Sequence, residues 1–220
     1  MKLIMENWKR FLEEDEVQEV AQGMGPGGLS ELGDITFEID DDGHYYNIYI
    51  NSGGKEIGDF QLDREGPCGT YTTHAYTENE VKGKIGPFVY DMLIELGTLL
   101  GVRVASSEHP SGLLDSLEST QPAGTRAIDV WNYYYQNRND LDKKPLECAP
   151  RKFQYGMKYV YPPWAKEKPY SIKNPPPEIE LRSQAINHSY TKPPIFLKQL
   201  KASGKLTGPD EIMKLIPGGS

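Results

Sequence analysis

The sequence has few cysteines and no long apolar run. Cys68 and Cys148 are its only cysteines; they lie far apart and outside any C-x-x-C motif. This predicts a reducing compartment and argues against a structural disulfide or a cysteine-rich zinc site. No stretch of 18 apolar residues occurs, and the first residues lack an uninterrupted apolar stretch followed by a cleavage site. We therefore expect neither a membrane span nor a signal peptide, and a cytoplasmic protein.

Histidine is also scarce. The four histidines are scattered, and none has a ligand-like neighbour at helical or hairpin spacing apart from His44, which lies near Asp41 and Asp42 in a turn. Since zinc sites need ligands at hairpin or helical spacing, we expect no metal site. Glycine and proline are abundant (22 and 17 of 220 residues), and only 37% of residues are hydrophobic. These values predict one domain with a modest core and long loops.

Charge is distributed unevenly along the chain. The net charge of -8 argues against a nucleic-acid partner, because phosphate binding needs clustered lysine and arginine. Residues 1–42 contain 12 acids and 3 bases, whereas residues 143–205 contain 13 bases and 4 acids. The two ends are therefore able to attract each other.

An amphipathic helix is predicted at the N-terminus. Apolar residues at Ile4, Trp8, Phe11 and Leu12 follow helical spacing, and the pattern ends at the glycine-rich stretch from Gly23. The helix either packs on the domain or acts as a separate docking peptide for a protein partner.

An antiparallel meander is predicted next. Its turns, Asp41–His44 and Asn51–Gly54, contain residues that tolerate positive φ angles. The predicted strands are Asp34–Asp40, Tyr45–Ile50, Lys55–Leu62 and Gly69–Thr77.

The period of the apolar pattern then changes. A helix is predicted from Phe88 to Leu100, a strand over Val102–Ser106 and a second helix over Thr125–Asn137. Beyond residue 140 the chain is basic and rich in proline. Further strands are predicted over Phe153–Tyr161 and Glu180–Tyr190, and short helices over Ile195–Ala202 and Asp210–Ile216.

This order of elements resembles the GNAT superfamily of acyl-coenzyme A dependent N-acetyltransferases. The resemblance covers residues 34–137 and implies an α+β fold with a mixed, mostly antiparallel sheet flanked by helices. The chain then divides into an N-terminal helix and linker (1–30), a GNAT-like core (31–145) and a C-terminal extension with the last strands and short helices (146–220).

The turn before the helix at Phe88 is the predicted acetyl-coenzyme A site. Glycines at 83 and 86 let the backbone curl so that N–H groups face a diphosphate at a helix N-terminus. The family pattern, [Q/R]-x-x-G-x-[G/A], is altered, with Val81 at its first position and Lys84 at its first glycine. The predicted binding residues are Lys82, Gly83, Lys84, Ile85 and Gly86.

The resemblance also implies direct attack of an amine on the thioester. Glu78 and Glu80, at the end of the fourth strand, are the candidate bases, with His74 as a competitor. Trp131 occupies the position where the family has a tyrosine that protonates the leaving thiolate. That role then falls to Tyr134, one turn later, to Tyr133, or to water.

Two other functions remain open. The altered glycine turn, Trp131 and the long extensions favour a non-enzymatic structural or docking protein on the same fold. The first 14 residues, MKLIMENWKRFLEE, resemble N-termini of tailed-phage proteins, which implies host cytoplasm or a virion. Alternatively, the basic region from Lys143 to Lys205 binds an acidic partner, or its tyrosines hold it on its own domain.

Overall fold

A computed structural model describes residues 33–77, 86–106, 127–146 and 184–218. These residues form an α+β fold with a mixed sheet and four α-helices. The strands are β1 (Thr36–Asp41), β2 (Tyr45–Ser52), β3 (Lys55–Asp63), β4 (Tyr71–Thr77), β5 (Val104–Ser106), β6 (Asp142–Pro145), β7 (His188–Thr191) and β8 (Leu206–Thr207). The helices are α1 (Gly86–Leu99), α2 (Ala127–Asn137), α3 (Ile195–Ala202) and α4 (Asp210–Leu215).

The strands form one sheet in the order β6-β7-β5-β4-β3-β2-β1-β8. Most neighbouring pairs are antiparallel, but β4 pairs with β5 and β1 with β8 in parallel. A mostly antiparallel sheet flanked by helices, as predicted, is therefore confirmed.

The predicted β1–β4 meander is confirmed, and its turns have clear physical causes. At the first turn, the Asp42 carboxylate accepts hydrogen bonds from the backbone N–H groups of His44 and Tyr45, while Gly43 has a φ of 91°. At the second turn, Gly53 and Gly54 both have positive φ, which favours glycine.

One sheet face and the helices enclose the core. On this inner face, Phe60 of β3 contacts Tyr90 of α1, with ring centroids 6.1 Å apart. Trp131 of α2 packs on Tyr190 of β7, at 5.1 Å. Because α2 and α3 also cover α1, every residue from Val89 to Gly97 is buried. A helix enclosed in this way is apolar around most of its surface.

The C-terminal residues belong to the same core. Leu197, Leu200 and Ile212 are in one buried cluster with Phe37 of β1. The helices predicted over Ile195–Ala202 and Asp210–Ile216 are confirmed within one residue. The strand predicted from Glu180 begins only at His188. The N-terminal helix and the strand predicted over Phe153–Tyr161 lie outside the described residues.

Cys68 corrects the expectation that a disulfide is improbable, because this residue is disulfide-bonded. It lies in a 3-10 turn, Pro67–Gly69, between β3 and β4. The expectation was wrong because separation along a sequence does not limit proximity in a folded chain. The one other cysteine of the sequence, Cys148, lies outside the described residues.

Gly97 is where α1 approaches β5 most closely. A Cβ atom at this position would lie 2.4 Å from the Val104 Cγ2 atom and 3.2 Å from the Val102 carbonyl oxygen. Alanine normally stabilises a helix interior relative to glycine, but here the steric clash outweighs that gain. We predict that Gly97→Ala lowers the free energy of unfolding by about 1–3 kcal/mol, measured by denaturant titration. Gly218→Ala, where a Cβ has no atom within 4 Å, is the control; equal effects would contradict the prediction.

Candidate functional site

The parallel strands β4 and β5 lie inside the sheet, and α1 lies between them along the chain. The pair is joined through three positions, Tyr71 with Val104, Thr72 with Ala105 and Thr73 with Ser106. The chain leaves β4 at Thr77 and enters α1 at Gly86. In such strand–helix–strand units, ligands bind at the carboxyl ends of the strands, beside the helix N-terminus.

Strand β4 is paired over different lengths with its two neighbours, β3 and β5. In the part of the chain that the structure describes, β4 pairs with β3 as far as Thr77 but with β5 only as far as Thr73. The hydroxyl of Thr73 is buried and has no hydrogen-bond partner among the described residues. A buried unpaired hydroxyl is unfavourable unless another molecule satisfies it. A ligand at this end of the β4–β5 pair would gain a hydrogen bond with the Thr73 hydroxyl.

The predicted site residues divide into two groups. Glu78 and Glu80, together with Lys82, Gly83, Lys84 and Ile85, lie outside the described residues. Gly86 is the first residue of α1, and Tyr134 lies on α2. His74, the competing base, has its Nε2 atom 3.8 Å from the Asp63 carboxylate on β3.

Tyr134 is part of the core. It is fully buried, and its hydroxyl donates a hydrogen bond of 2.8 Å to the Asp91 carboxylate on α1. Burial, followed by the negative charge of Asp91, raises the pKa of Tyr134 well above its ordinary value. Asp91 is five residues from the start of α1, about 7.5 Å along the helix axis. The Tyr134 hydroxyl therefore lies beside α1, about 7.5 Å from its first residue along the helix axis. It stays protonated, and its hydrogen bond to Asp91 is already formed.

Trp131 has a similar environment. Its indole is fully buried between Tyr90 of α1 and Tyr190 of β7. The aromatic spacing of α2 thus forms core contacts, at a position where the family has a polar acid.

A buried ionic cluster, which the sequence analysis missed, lies beside Tyr134. The Lys192 Nζ atom is 2.7 Å from Asp91 and 3.3 Å from Glu95. Arg138 binds Asp91 at 3.1 Å and Asp140 at 2.6 Å. We call Asp91, Glu95, Arg138, Asp140 and Lys192 the ionic cluster. It joins α1, the end of α2 and the segment before α3.

Glu95 also binds the N-terminus of α3. Its two carboxylate oxygens accept hydrogen bonds from the backbone N–H groups of Phe196, at 3.0 Å, and Leu197, at 2.8 Å. These N–H groups have no partner inside their own helix, so a carboxylate satisfies both and interacts favourably with the helix dipole. α3 begins after a proline and has no side-chain cap of its own. Glu95 supplies that cap from another helix.

Burial affects the two acids of α1 differently. For Asp91, the positive charges of Lys192 and Arg138 outweigh burial and hold the pKa below its ordinary value. For Glu95, burial is the largest effect and raises the pKa to about 7, although Lys192 and the two N–H groups oppose it. The difference arises because Asp91 faces two cations, whereas Glu95 shares one cation with another carboxylate.

Asp91 and Glu95 did leave a signal in the sequence. They are four residues apart, so they lie on one side of a helix, and apolar residues surround them. Charges at such positions are rarely buried without partners. Their cations, Arg138 and Lys192, are 47 and 101 residues away from Asp91, and nothing in the sequence joins them.

A surface groove of about 520 Å³ opens beside the cluster. It is lined by Thr98, residues 139–142 and residues 191–193. The carboxylates here are occupied: Asp140 binds Arg138, and Asp142 binds Arg103 at 2.7 Å. The groove therefore belongs to the surroundings of the ionic cluster.

Among the described residues, no group of three or more His, Cys, Asp or Glu side chains is placed to hold a metal ion. Within the same residues, no helix is long and apolar enough to cross a membrane. Comparison of the chain with protein-family models, curated proteins and solved structures gave no match.

The raised pKa of Glu95 predicts a pH dependence of stability. In the unfolded chain Glu95 titrates near 4.5, and in the folded chain near 7. The folded state therefore binds the extra proton between these values, so the contribution of Glu95 is greatest below pH 4.5 and is lost as the pH rises through 7. We predict that the free energy of unfolding of wild type, relative to Glu95→Gln, falls by roughly 1–3 kcal/mol between pH 5 and 8.

Denaturant titrations of both proteins at the two pH values measure this difference. Contributions from the histidines, which titrate in the same range, cancel in the comparison because both proteins contain them. A constant difference would mean that Glu95 is ionised throughout the range.

Proposed function

We propose that this protein is an N-acyltransferase that transfers an acetyl group from acetyl-coenzyme A to a primary amine by direct attack. The observation that carries the proposal is the parallel pairing of β4 with β5, with α1 between them along the chain from Gly86. In such strand–helix–strand units the helix begins beside the carboxyl ends of the strands. The pairing agrees with the resemblance in the order of elements along the chain.

The diphosphate of coenzyme A would bind at the amino end of α1. The N–H groups of a first helical turn lack partners within the helix, and the helix dipole attracts anions. The glycines at 83 and 86 keep side chains away from these groups, and Lys82 and Lys84 add positive charge. The thioester would extend along the end of the β4–β5 pair, where Thr73 has an unsatisfied hydroxyl. These residues fit an acyl-coenzyme A.

The reaction needs an amine in its neutral form. A base, Glu78 or Glu80, accepts a proton from the amine, whose nitrogen then attacks the thioester carbonyl carbon. A new C–N bond forms, the C–S bond breaks, and the departing thiolate takes up a proton. Tyr134 is the candidate donor on the protein, with water as the alternative. The net charge of -8 favours a cationic acceptor, such as a lysine side chain or a small amine.

A second candidate function is a non-enzymatic structural or docking protein on the same fold. The burial of Trp131 and Tyr134 favours it, because both positions of the expected acid then serve packing. The two functions differ in whether the chain binds coenzyme A.

Coenzyme A binding is testable by thermal unfolding. We predict that coenzyme A at about 100 times its Kd raises the Tm by roughly 5 °C, because a ligand that binds only the folded state stabilises it by mass action. Gly86→Trp should abolish the shift, since its side chain would fill the helix N-terminus. Lys214→Ala, at an exposed position of α4, should leave the shift unchanged. No shift of the wild type at millimolar ligand would favour the docking function.

Tyr134→Phe tests the proton donor. Because the hydroxyl is bonded to a buried carboxylate, we predict that its removal lowers the free energy of unfolding by about 1.5–3 kcal/mol. Turnover is measured per folded molecule, in acetyl-coenzyme A consumed against a panel of amines. A rate equal to wild type excludes Tyr134 and leaves Tyr133 or water as the donor, whereas a fall of 100-fold or more identifies Tyr134 as the acid.

A further inference from the structure

The sheet face opposite the helices, here called the outer face, is polar. Side chains paired across neighbouring strands project on the same side, so its residues form rows across β1–β4. The rows are Glu38, Tyr49 and Asp59; Asp40, Asn47, Gln61 and His74; and Tyr45, Asp63 and Thr72. Among the described residues, α1 and α2 contact the other face of the sheet, for example at Phe60 and Tyr190.

These rows carry one sign of charge. They contain four carboxylates, those of Glu38, Asp40, Asp59 and Asp63, and no lysine or arginine. Glu38 and Asp40 are exposed. In the described part of the chain, Glu38, Asp40 and Asp59 have no ion pair, and Asp63 has only His74. Like charges this close repel each other and attract a basic partner.

The centre of the outer face also has a tyrosine among the carboxylates. Burial raises the pKa of Tyr49, and the charges of Asp40, Glu56 and Asp59 raise it further. Asn47, in the adjacent row, is 4% exposed. The face therefore combines negative charge with aromatic and buried amide groups, a composition suited to cationic and aromatic side chains.

The chain contains a segment of the opposite character. Residues 151–173 include six lysines and arginines but one acid, Glu167, a net charge of +5. They also include six aromatic residues: Phe153, Tyr155, Tyr159, Tyr161, Trp164 and Tyr170. Because Lys and Arg stack on tyrosine rings and pair with carboxylates, this composition complements the outer face on both counts.

The connections allow the segment to reach the face. It follows β6, five strand positions from β2 in the sheet, a distance of about 24 Å. Eight residues of extended chain span about 26 Å, so residues beyond about 154 reach β2 from Leu146. The return to β7 at His188 is longer still.

From these observations we propose that residues 151–173 dock on the outer face of β1–β4, held by Glu38, Asp40 and Asp59. This proposal does not depend on the acyltransferase activity.

Limited trypsin digestion of the full-length protein tests the proposal, with cleavage after Lys158 and Lys166 followed by mass spectrometry. We expect Glu38→Lys/Asp40→Lys to speed this cleavage about five- to tenfold, because the segment then meets like charges. The matched control, Glu65→Lys/Glu211→Lys, changes the net charge equally at exposed sites elsewhere and should cleave like wild type. Lys152→Glu/Lys173→Glu, added to the first variant, should restore slow cleavage.

Two further results decide the matter. Circular dichroism establishes that each variant keeps its fold before digestion. Equal cleavage of the test and control variants would overturn the proposal, as would a wild-type rate that rises on tenfold dilution, because a second copy of the chain would then cover the face. A rate that is independent of dilution, together with charge-swap rescue, supports docking within one chain.

Discussion

The fold depends on the buried side chain of Glu95 and on Lys192, the cation that Glu95 shares with Asp91. Glu95 caps α3 from inside α1, and Lys192, just before α3, pairs with both Glu95 and Asp91. Removing Lys192 would leave the buried Glu95 without its cation among the described residues, and the loss of a buried partner is costlier than the loss of an exposed pair. The same contacts fix the path of the chain into α3, β8 and α4, and β8 then pairs with the first strand.

The ionic cluster also fixes the position of α2 along α1. Arg138, at the end of α2, binds Asp91, and Tyr134 one turn earlier donates to the same carboxylate. A helix of modest apolar content is thus held by specific polar contacts as well as by Trp131. These contacts hold α2 against α1, the helix that lies between β4 and β5 along the chain. Structural and proposed catalytic roles therefore meet on one helix.

The outer face follows a different physical rule. The inner face is stabilised by apolar burial, whereas the outer face of β1–β4 carries carboxylates that gain only from an oppositely charged partner. A sheet with one apolar and one polar face is typical of antiparallel strands. β1 contributes Glu38 and Asp40 to this face and belongs to the acidic first 42 residues of the chain.

The sequence by itself determined the meander, α1, α2 and the two C-terminal helices, because alternation, helical periodicity and turn residues are local signals. Of the candidate site, it indicated the order of β4, α1 and β5 along the chain. Tertiary structure alone decided the parallel insertion of β5, the pairing of β8 with β1, the disulfide at Cys68 and the burial of Tyr134. The ionic cluster belongs with these, because its partners are brought together from residues 91 to 192. Such contacts depend on folding of the whole chain, and no local pattern encodes them.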